Sequence, residues 1–358
     1  MRLHNTDDTR IAGMAEVIAA SQLIDDLPLN DANSKLVFET RADLAQVIHK
    51  RDDRLVVIVG PCSIHDPAAA LEYGQRLAPL IAQYRKSLLI VMRVYFEKPR
   101  TTVGWKGLIN DPHLNNSYDI NEGLHLARRL LLGLADMGVP AATEFLDPIT
   151  PQYLGDVVAW SAIGARTTES QIHRQLASGL SCPVGFKNST EGSIQIAVDA
   201  LRSSREPHIF LSVTKSGHCA IFETSGNPDC HVILRGGSTG PNYTAEHVQR
   251  SCQTLKQHGL PECVMVDCSH GNSEKDPERQ VLVADNIARQ LEAGSDQILG
   301  VMIESNLVAG RQEISHDDKM VYGRSVTDAC IDWSTTATLL ERLGVANSMR
   351  QTRKGARQ

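Results

Sequence analysis

Eight side chains that could ionise or bind a metal follow eight short apolar segments of this chain in order. They are Cys62, Arg93, Glu144, Arg166, Lys187, Arg235, His270 and Glu304. Charged side chains are costly to bury unless they pair with or bind another group. If the segments are parallel strands of one barrel, the side chains at their carboxyl ends meet at a single mouth. The sequence therefore predicts one site assembled from all eight strand ends.

Cations dominate one part of this set, and the loop after the second segment adds more of them. The members are Arg93, Arg166, Lys187, Arg235, Lys98, Arg100 and Lys106. Arginine offers a planar fork to phosphate or carboxylate groups, and lysine offers a movable point charge. So many cations predict more than one anionic group, hence two phosphorylated substrates or a phosphate and a carboxylate. For any single cation the alternative is a salt bridge to one of the 42 acidic residues.

A second group combines a thiol, an imidazole and carboxylates. Its members are Cys62, His270, Glu304 and Asp328. This mixture of soft and hard ligands suits Mn(II), Fe(II), Co(II) or Zn(II) better than magnesium or calcium. One such divalent ion could polarise an aldehyde oxygen as a Lewis acid. Taken singly, Cys62 could be a core thiol and His270 a hydrogen-bonded loop residue, because the four positions lie far apart in the sequence.

The elements that must position these groups alternate regularly between apolar and amphipathic segments. The apolar segments cover residues 55–59, 88–92, 139–143, 162–165, 183–186, 231–234, 263–267 and 298–303. Helix-length amphipathic segments separate them, and eight parallel strands are the number that closes a barrel. The fold class is therefore predicted as α/β, a (β/α)8 TIM barrel.

Local signals place several helix ends. Asp66-Pro67, Thr150-Pro151 and Asp276-Pro277 each put a capping side chain before a proline, which is typical of helix starts. Gly179, Gly259 and Gly294 stand where helices should end. In the N-terminal segment, Asn33 or Ser34 is expected to cap a helix that reaches Ile48.

Three additions to a plain barrel are predicted. Residues 1–50 form an N-terminal extension for regulation or oligomerisation. Within the barrel, 51–345, two apolar runs around a Thr-Lys-Ser-Gly turn predict a β-hairpin at 208–224, between strands five and six. Residues 346–358 are basic and polar and are expected to form a flexible tail.

Composition excludes several classes of protein. The net charge of −6 argues against a general nucleic-acid binder. The N-terminus lacks the apolar core of a signal peptide, and no apolar run approaches the roughly 20 residues needed to span a bilayer. The eight cysteines form no CxxC pair, so we expect reduced thiols and a cytoplasmic protein without membrane or nucleic-acid partners.

At these residues the chain resembles the class I 3-deoxy-D-arabino-heptulosonate 7-phosphate (DAHP) synthases, the first enzymes of the shikimate pathway. The similarity extends from about residue 7 to about residue 340 and is strongest in a few stretches. These are GPCSIHD at 60–66, MRVYFEKPRTT at 92–102, GWKGL at 104–108, GARTTES at 164–170, PVGFKN at 183–188, LRGG at 234–237, DCSH at 267–270 and SVTDAC at 325–330.

The resemblance implies condensation of phosphoenolpyruvate with erythrose 4-phosphate and water to give DAHP and phosphate. It makes Cys62, His270, Glu304 and Asp328 the metal ligands. The phosphoenolpyruvate site would comprise Arg93, Lys98, Arg166, Lys187 and Arg235, with Glu144 and Ala165 as further substrate contacts, and the erythrose 4-phosphate clamp would comprise Arg100 and Thr101. Lys98, Cys62 and His270 would be the catalytic residues. Lys98 is the candidate for proton transfer, with a pKa lowered by neighbouring cations, although simple anion binding is the alternative.

The resemblance also implies feedback regulation of the bacterial and fungal type and a homodimer or homotetramer. Matching effector positions are Asp8, Pro151, Gln152, Leu180, Ser181, Phe210 and Ser212. The stretch around Ser212 looks most like the phenylalanine-responsive members, with tryptophan or tyrosine as alternatives. An apolar slot with hydroxyls at one end would suit an aromatic amino acid.

Two other functions remain possible from the residues. A Schiff-base aldolase would use Lys187 as its nucleophile, which the metal-ligand set argues against. A non-catalytic phosphosugar-binding regulator would keep the cations without turnover, which intact Cys62 and Lys98 argue against.

Overall fold

The eight apolar segments form the parallel strands of a closed barrel in the computed structural model of the chain. The structure describes residues 4, 6–100, 102–315 and 319–356. Within these residues the strands are β1 Leu55–Gly60, β2 Leu88–Arg93, β3 Ala141–Glu144, β4 Trp160–Ile163, β5 Val184–Lys187, β6 Ile209–Val213, β7 Cys219–Glu223, β8 Cys230–Leu234, β9 Val264–Asp267, β10 Ile298–Glu304, β11 Val308–Arg311 and β12 Arg324–Ser325.

The order of strands around the barrel is β1, β2, β3, β4, β5, β8, β9 and β10, which closes again on β1. Each β-strand except β6, β7, β11 and β12 therefore has two parallel neighbours. The (β/α)8 prediction is confirmed. Because parallel strands are buried on both faces, their sequences are continuous apolar runs rather than alternating ones.

The helices of the described residues surround this barrel. They are α1 Ala20–Asp26, α2 Asp31–Ile48, α3 Pro67–Tyr84, α4 Ile120–Asp136, α5 Thr150–Leu154, α6 Gln171–Gly179, α7 Gln195–Ser204, α8 Ala245–Gln257, α9 Arg279–Glu292 and α10 Trp333–Gly355. Alternate strand residues serve the two faces: Val56 and Ile58 pack in the barrel interior, whereas Val57 and Val59 pack against the helices.

The predicted helix starts are correct at one position and shifted at the others. Asp66 caps α3 by accepting hydrogen bonds from the N–H groups of Ala68 and Ala69. In the N-terminal segment the cap of α2 is Asn30, which precedes the expected Asn33 and Ser34. The carboxylate of Asp276 accepts from Glu278 N–H, and α9 begins one residue later. At α5 the residue before the helix is Ile149, because the Thr150 hydroxyl donates to Glu97 instead.

The inserted hairpin lies between β5 and β8, as predicted. Strands β6 and β7 pair antiparallel, with Phe210 opposite Phe222 and their rings 6.2 Å apart. The other face of the hairpin carries Ile209, Leu211 and Ile221, which are 68%, 81% and 74% exposed. The period-two alternation of a strand thus leaves an apolar outer face.

The expected flexible tail is wrong for most of its length, because α10 continues to Gly355. One face of this helix is buried, and it includes Ala346, Asn347 and Arg350. The Arg350 guanidinium donates to the carbonyls of Ile298 and Asp53. A basic residue that was expected in solvent therefore packs beneath the barrel. No helix of the described residues is long and apolar enough to cross a membrane.

Candidate active site

A cavity of about 430 Å³ opens at the carboxyl ends of the barrel strands. It is lined by cations from seven different loops or strand ends, as expected for a barrel mouth. These cations are Arg93, Lys98, Arg100, Arg166, Lys187, Arg235, Lys275 and Arg311. Glu144, Ala165, His270 and Asp328 also line the cavity. Within the described residues the structure therefore brings together most of the side chains that were predicted from strand ends.

Two residues extend the predicted cation set, and one residue corrects it. Lys275 and Arg311 line the cavity but stand well past the strand ends, where the sequence gives no reason to select them. Lys106 was predicted in the set, yet its side chain is exposed and its backbone carbonyl accepts from Lys98 N–H at 2.9 Å. Thr101 lies outside the described residues.

Arg93 is held rigidly, although it is fully buried. Its guanidinium donates to the carbonyls of Pro61 and Cys62, each at 3.1 Å. It lies 3.5 Å above the Tyr95 ring and 3.0 Å from a carboxylate oxygen of Glu304. Such a network compensates the cost of burying the charge. Arg93 therefore links the cation-lined cavity to the carboxylate of the predicted metal site.

Three predicted metal ligands form one group. The candidate donor atoms of Cys62, Glu304 and Asp328 all lie within 4.8 Å of one another, and Cys62 Sγ is 3.6 Å from Asp328 Oδ2. Glu304 Oε1 is buried and already ion-paired with Arg93 Nη2 at 3.0 Å, so the case for a metal rests on the chemistry of the three donors. A thiol with two carboxylates fits a divalent transition metal. His270 lies beside this group, with Nε2 3.9 Å from Glu304 Oε1.

The carboxylate and the thiol of this group differ in protonation. Burial alone would raise the pKa of the Glu304 carboxyl, but His270, Arg93 and Lys98 together lower it to about 2. Burial, followed by the charge of Glu304, raises the pKa of the Cys62 thiol to about 11. A bound metal ion would instead lower the pKa of the Cys62 thiol, because a coordinating thiol is deprotonated. Ion binding should therefore release a proton from Cys62.

Lys98 contacts the metal group directly. Its Nζ lies 3.1 Å from Cys62 Sγ and 3.2 Å from the Cys62 carbonyl oxygen. Burial lowers the pKa of Lys98, but its acidic neighbours, Cys62 followed by Glu304 and Asp328, raise it more. The expectation of a lowered pKa is thus wrong, because the neighbouring anions outweigh Arg93.

Asp267 is a site residue that the sequence reasoning missed. Its Oδ2 lies 2.8 Å from Lys187 Nζ and 3.0 Å from His270 Nδ1. Burial would raise the pKa of the Asp267 carboxyl, but its contacts with Lys187 and His270 hold that pKa well below its usual range. Asp267 ends β9, so its position at a strand end could have identified it, but His270 had been selected for that strand.

Two glycines lie against side chains of the cavity wall. A Cβ on Gly164 would lie 2.3 Å from Glu144 Oε1, so a larger residue there would displace the Glu144 carboxylate from its present position. Gly104 has φ +139, and a Cβ there would lie 2.7 Å from the Arg100 guanidinium. Both glycines of the strongest sequence stretches therefore make room for predicted substrate contacts.

Four predicted effector residues lie in α5 or the hairpin: Pro151 and Gln152 in α5, and Phe210 and Ser212 in β6. Lys215 at the hairpin turn donates to the Gln152 carbonyl at 3.0 Å, and the Lys215 carbonyl accepts from Ser21 N–H at 2.8 Å. Phe210 stacks on Phe222. Asp8 and Ser181 are exposed, Pro151 is buried, and Leu180 and Ser212 are half-buried. The hairpin, α5 and the N-terminal segment are thus in contact, and the effector pocket itself stays a prediction.

Comparison with known proteins gives one consistent result. A profile described as the DAHP synthetase I family matches residues 29–341. The phospho-2-dehydro-3-deoxyheptonate aldolase of Haemophilus influenzae is 55% identical over 340 residues, covering 95% of this chain and 94% of that protein. The Phe-sensitive enzyme of that name from Escherichia coli K12 is 53% identical over 348 residues, covering 97% and 99%. A solved structure of the Francisella tularensis protein of that name superposes with a TM-score of 0.93 at 55% identity, covering 95% of this chain and 99% of that one.

Proposed function

Because this chain belongs to the DAHP synthetase I family, we propose that it condenses phosphoenolpyruvate with erythrose 4-phosphate and water, releasing phosphate and forming DAHP. One observation carries the proposal: a cavity lined by eight cations adjoins a group of one thiol and two carboxylates. The cations match two phosphorylated substrates, and the ligand group matches a metal that activates an aldehyde.

The cations on the strand-end loops would bind phosphoenolpyruvate. Arg166, Lys187 and Arg235 line the cavity together, and Lys187 is fixed by its ion pair with Asp267. Fixed cations orient a carboxylate and a phosphate without reorganising during the reaction. Arg100 lines the cavity on the loop after β2 and would, with Thr101, hold the phosphate of erythrose 4-phosphate.

Cys62, Glu304 and Asp328, with His270 beside them, would hold one divalent ion, Mn, Fe, Co or Zn. When bound, the ion supplies Lewis acidity to the aldehyde oxygen of erythrose 4-phosphate. Neighbouring residues would hold these ligands in place. Asp267 contacts His270, and the Ser269 hydroxyl donates to Glu304 Oε2 at 2.8 Å. Such supporting contacts set the direction in which metal ligands point.

The reaction forms one carbon–carbon bond and one carbon–oxygen bond from water, and it breaks the carbon–oxygen bond between C2 and the phosphate. C3 of phosphoenolpyruvate attacks the aldehyde carbon of erythrose 4-phosphate, water adds to C2, and loss of phosphate leaves the ketone. Lys98 would be protonated in the free site, since its pKa is raised. It can therefore donate a proton or a hydrogen bond to the aldehyde oxygen as negative charge develops there.

A Schiff-base aldolase is disfavoured by the environment of Lys187. Its Nζ is buried and donates to Asp267 Oδ2 at 2.8 Å, whereas a Schiff-base lysine attacks as a neutral amine. Borohydride reduction in the presence of substrate separates the two functions, because a Schiff-base enzyme would be trapped as a covalent adduct.

Phosphoenolpyruvate consumption, measured with and without erythrose 4-phosphate, tests the proposed function. We expect consumption that requires both substrates and releases one phosphate for each phosphoenolpyruvate. Consumption without the aldose phosphate, or none with both substrates and a divalent metal, would refute the proposal.

Regulation by phenylalanine and assembly into homodimers or homotetramers are part of the same proposal. The support is a relative named Phe-sensitive, together with the hairpin and extension that a plain barrel does not need. Contacts of Lys215 with Gln152 and Ser21 join these parts.

A further inference from the structure

Three asparagine side chains connect the loops that follow strands β5, β8 and β9. Asn188 and Asn272 are buried, at 0% and 2% exposure, and Asn242 is half-buried. All three lie at the carboxyl ends of the strands, beside the cation-lined cavity. Sequence reasoning gave none of them a role.

Asn188 uses its whole amide group. Its Oδ1 accepts from Arg235 N–H at 2.8 Å and from Asn242 Nδ2 at 3.3 Å. Its Nδ2 donates to the carbonyls of Ser189 at 2.9 Å and Gly236 at 3.0 Å. Asn188 follows Lys187 directly in the chain, so this side chain ties the backbone beside Lys187 to the backbone of Arg235.

Asn242 and Asn272 extend the connection to the next loop. Asn242 Oδ1 accepts from Gly236 N–H at 2.7 Å, and Asn242 N–H donates to Asn272 Oδ1 at 2.7 Å. Asn272 Nδ2 donates to the carbonyls of Leu234 at 3.1 Å and Asp267 at 2.8 Å. Asn272 stands two residues after His270, so the loop with the predicted metal ligand is fixed to the loop with Arg235.

The glycines of these loops explain why side-chain amides make the connection. A Cβ on Gly236 would lie 2.5 Å from the Gly271 carbonyl carbon, and a Cβ on Gly271 would lie 2.6 Å from Gly237 N. The two loops therefore touch backbone to backbone. Beyond the strand ends the ladder of strand hydrogen bonds stops, and buried N–H and C=O groups there still need partners. The asparagines supply them.

We propose that Asn188, Asn242 and Asn272 are positioning residues that fix the anion-binding cations Lys187 and Arg235 relative to His270. The inference rests on the proposed function, because it assigns these cations to phosphoenolpyruvate. Asn242 gives the sharpest test, since it is the least buried of the three and its Oδ1 holds Gly236, the residue next to Arg235.

The experiment compares Asn242→Ala with Asn347→Ala. Like Asn188 and Asn272, Asn347 is buried and its Nδ2 donates to two backbone carbonyls, those of Ser87 at 2.7 Å and Asp53 at 3.0 Å, but it lies under the barrel on α10. We expect Asn242→Ala to raise the KM for phosphoenolpyruvate about tenfold, which corresponds to about 1.4 kcal/mol. Asn347→Ala should lower the Tm while leaving this KM within about twofold of the wild-type value.

A double variant separates positioning from general destabilisation. If Asn242 acts through Arg235, adding Asn242→Ala to Arg235→Ala should produce no further loss of kcat/KM, because the positioned group is gone. The proposal is overturned if the losses of kcat/KM in the two single variants multiply in the double variant. It is also overturned if Asn242→Ala leaves the KM for phosphoenolpyruvate unchanged. Should Asn242→Ala fail to fold, Asn242→Ser is measured by the same criteria.

Calorimetric titration with phosphoenolpyruvate distinguishes this inference from the proposed function. If the wild-type chain binds phosphoenolpyruvate but does not condense it, the proposed function is refuted. The asparagine variants can then still be compared with the wild type by their affinity for phosphoenolpyruvate. A condensing wild type whose Asn242→Ala variant binds phosphoenolpyruvate equally well refutes only the role of the asparagines.

Discussion

Asp267 lies 2.8 Å from Lys187 inside the barrel mouth, and the same carboxylate oxygen faces His270 Nδ1 at 3.0 Å. One buried anion thus contacts a proposed substrate-binding cation and a predicted metal ligand together. A change at Asp267 should consequently affect both sites.

Asp267→Asn tests this shared role. We expect metal affinity to fall by about 10- to 100-fold, as for other residues that orient metal ligands, and kcat/KM for phosphoenolpyruvate to fall as well. Metal titration and steady-state kinetics measure the two effects. Asp285→Asn, which breaks the ion pairs of a half-buried α9 carboxylate with Arg289 and with Arg342 of α10, is the control away from the cavity. An Asp267→Asn enzyme with wild-type metal affinity would show that His270 does not depend on this carboxylate.

Metal removal should abolish activity. The proposed reaction needs a Lewis acid at the aldehyde, so EDTA should inactivate the enzyme, and Mn(II) or Co(II) should restore it. Cys62→Ala should lose metal-dependent turnover and keep its secondary structure by circular dichroism. Cys252→Ala, which also removes a buried thiol but on α8, should stay active. Full turnover in excess chelator is the outcome that contradicts this prediction.

Loss of single cations should weaken phosphoenolpyruvate binding or turnover. Arg166→Ala and Lys187→Ala each remove a charge from the cavity wall, and we expect a cost of about 2–4 kcal/mol in transition-state binding. Steady-state kinetics with varied phosphoenolpyruvate measure this cost. Arg250→Ala, which removes an exposed arginine paired with Glu246, should have little effect. Wild-type kinetics in both site variants would place the phosphoenolpyruvate site elsewhere.

Phenylalanine should inhibit the enzyme from a site near the hairpin. Ser181→Phe or Ser212→Phe should relieve the inhibition and preserve turnover, since allostery requires a site distinct from the catalytic one. Inhibition curves with phenylalanine, tryptophan and tyrosine provide the measurement. A response to tryptophan alone would change the effector and keep the pocket, whereas indifference to all three amino acids would remove both.

Acid should destabilise the fold through His231. This histidine is buried and accepts a hydrogen bond from Trp160 Nε1 at 3.0 Å, and burial lowers its pKa to about 4. The unfolded chain therefore binds this proton first, so the free energy of unfolding should fall as the pH drops from about 6.5 to about 4, by about 3 kcal/mol.

Urea unfolding of the wild type and of His231→Gln, at pH 7 and at pH 4.5, measures this contribution. Glutamine keeps an acceptor for Trp160 but does not titrate, so the variant should lose less stability between the two pH values. Equal losses in both proteins would show that His231 is not responsible for the acid sensitivity.

Much of the site could be predicted, because the order of strands in the sequence determines which residues stand at the mouth of a parallel barrel. Arg93, Lys187 and Glu304 end their strands, and in a parallel barrel the strand ends converge. The rule works without any knowledge of the loops. It fails for Lys275, which stands in a loop, and for Arg311, which ends the short strand β11 outside the barrel.

Buried charges account for the other errors. The polar residues of α10 predicted a solvated tail, but Arg350 and Asn347 find backbone carbonyls beneath the barrel. Similarly, the pKa of Lys98 depends on which charges lie nearest, and the sequence separates Cys62 from Glu304 by more than two hundred residues. Contacts between residues so far apart in the sequence can be identified only from the folded structure.

The position of Arg350 has a consequence for how the protein is made. Its guanidinium joins the carbonyl of Asp53, just before β1, to that of Ile298 at the start of β10, where the first and last barrel strands meet. The contact therefore brings the final helix of the chain to its earliest strand. Because a chain is made from its N-terminus, α10 is made after all eight barrel strands. The strands β1 and β10 can therefore pair before Arg350 exists, and the Arg350 contact is added to a seam that has already formed.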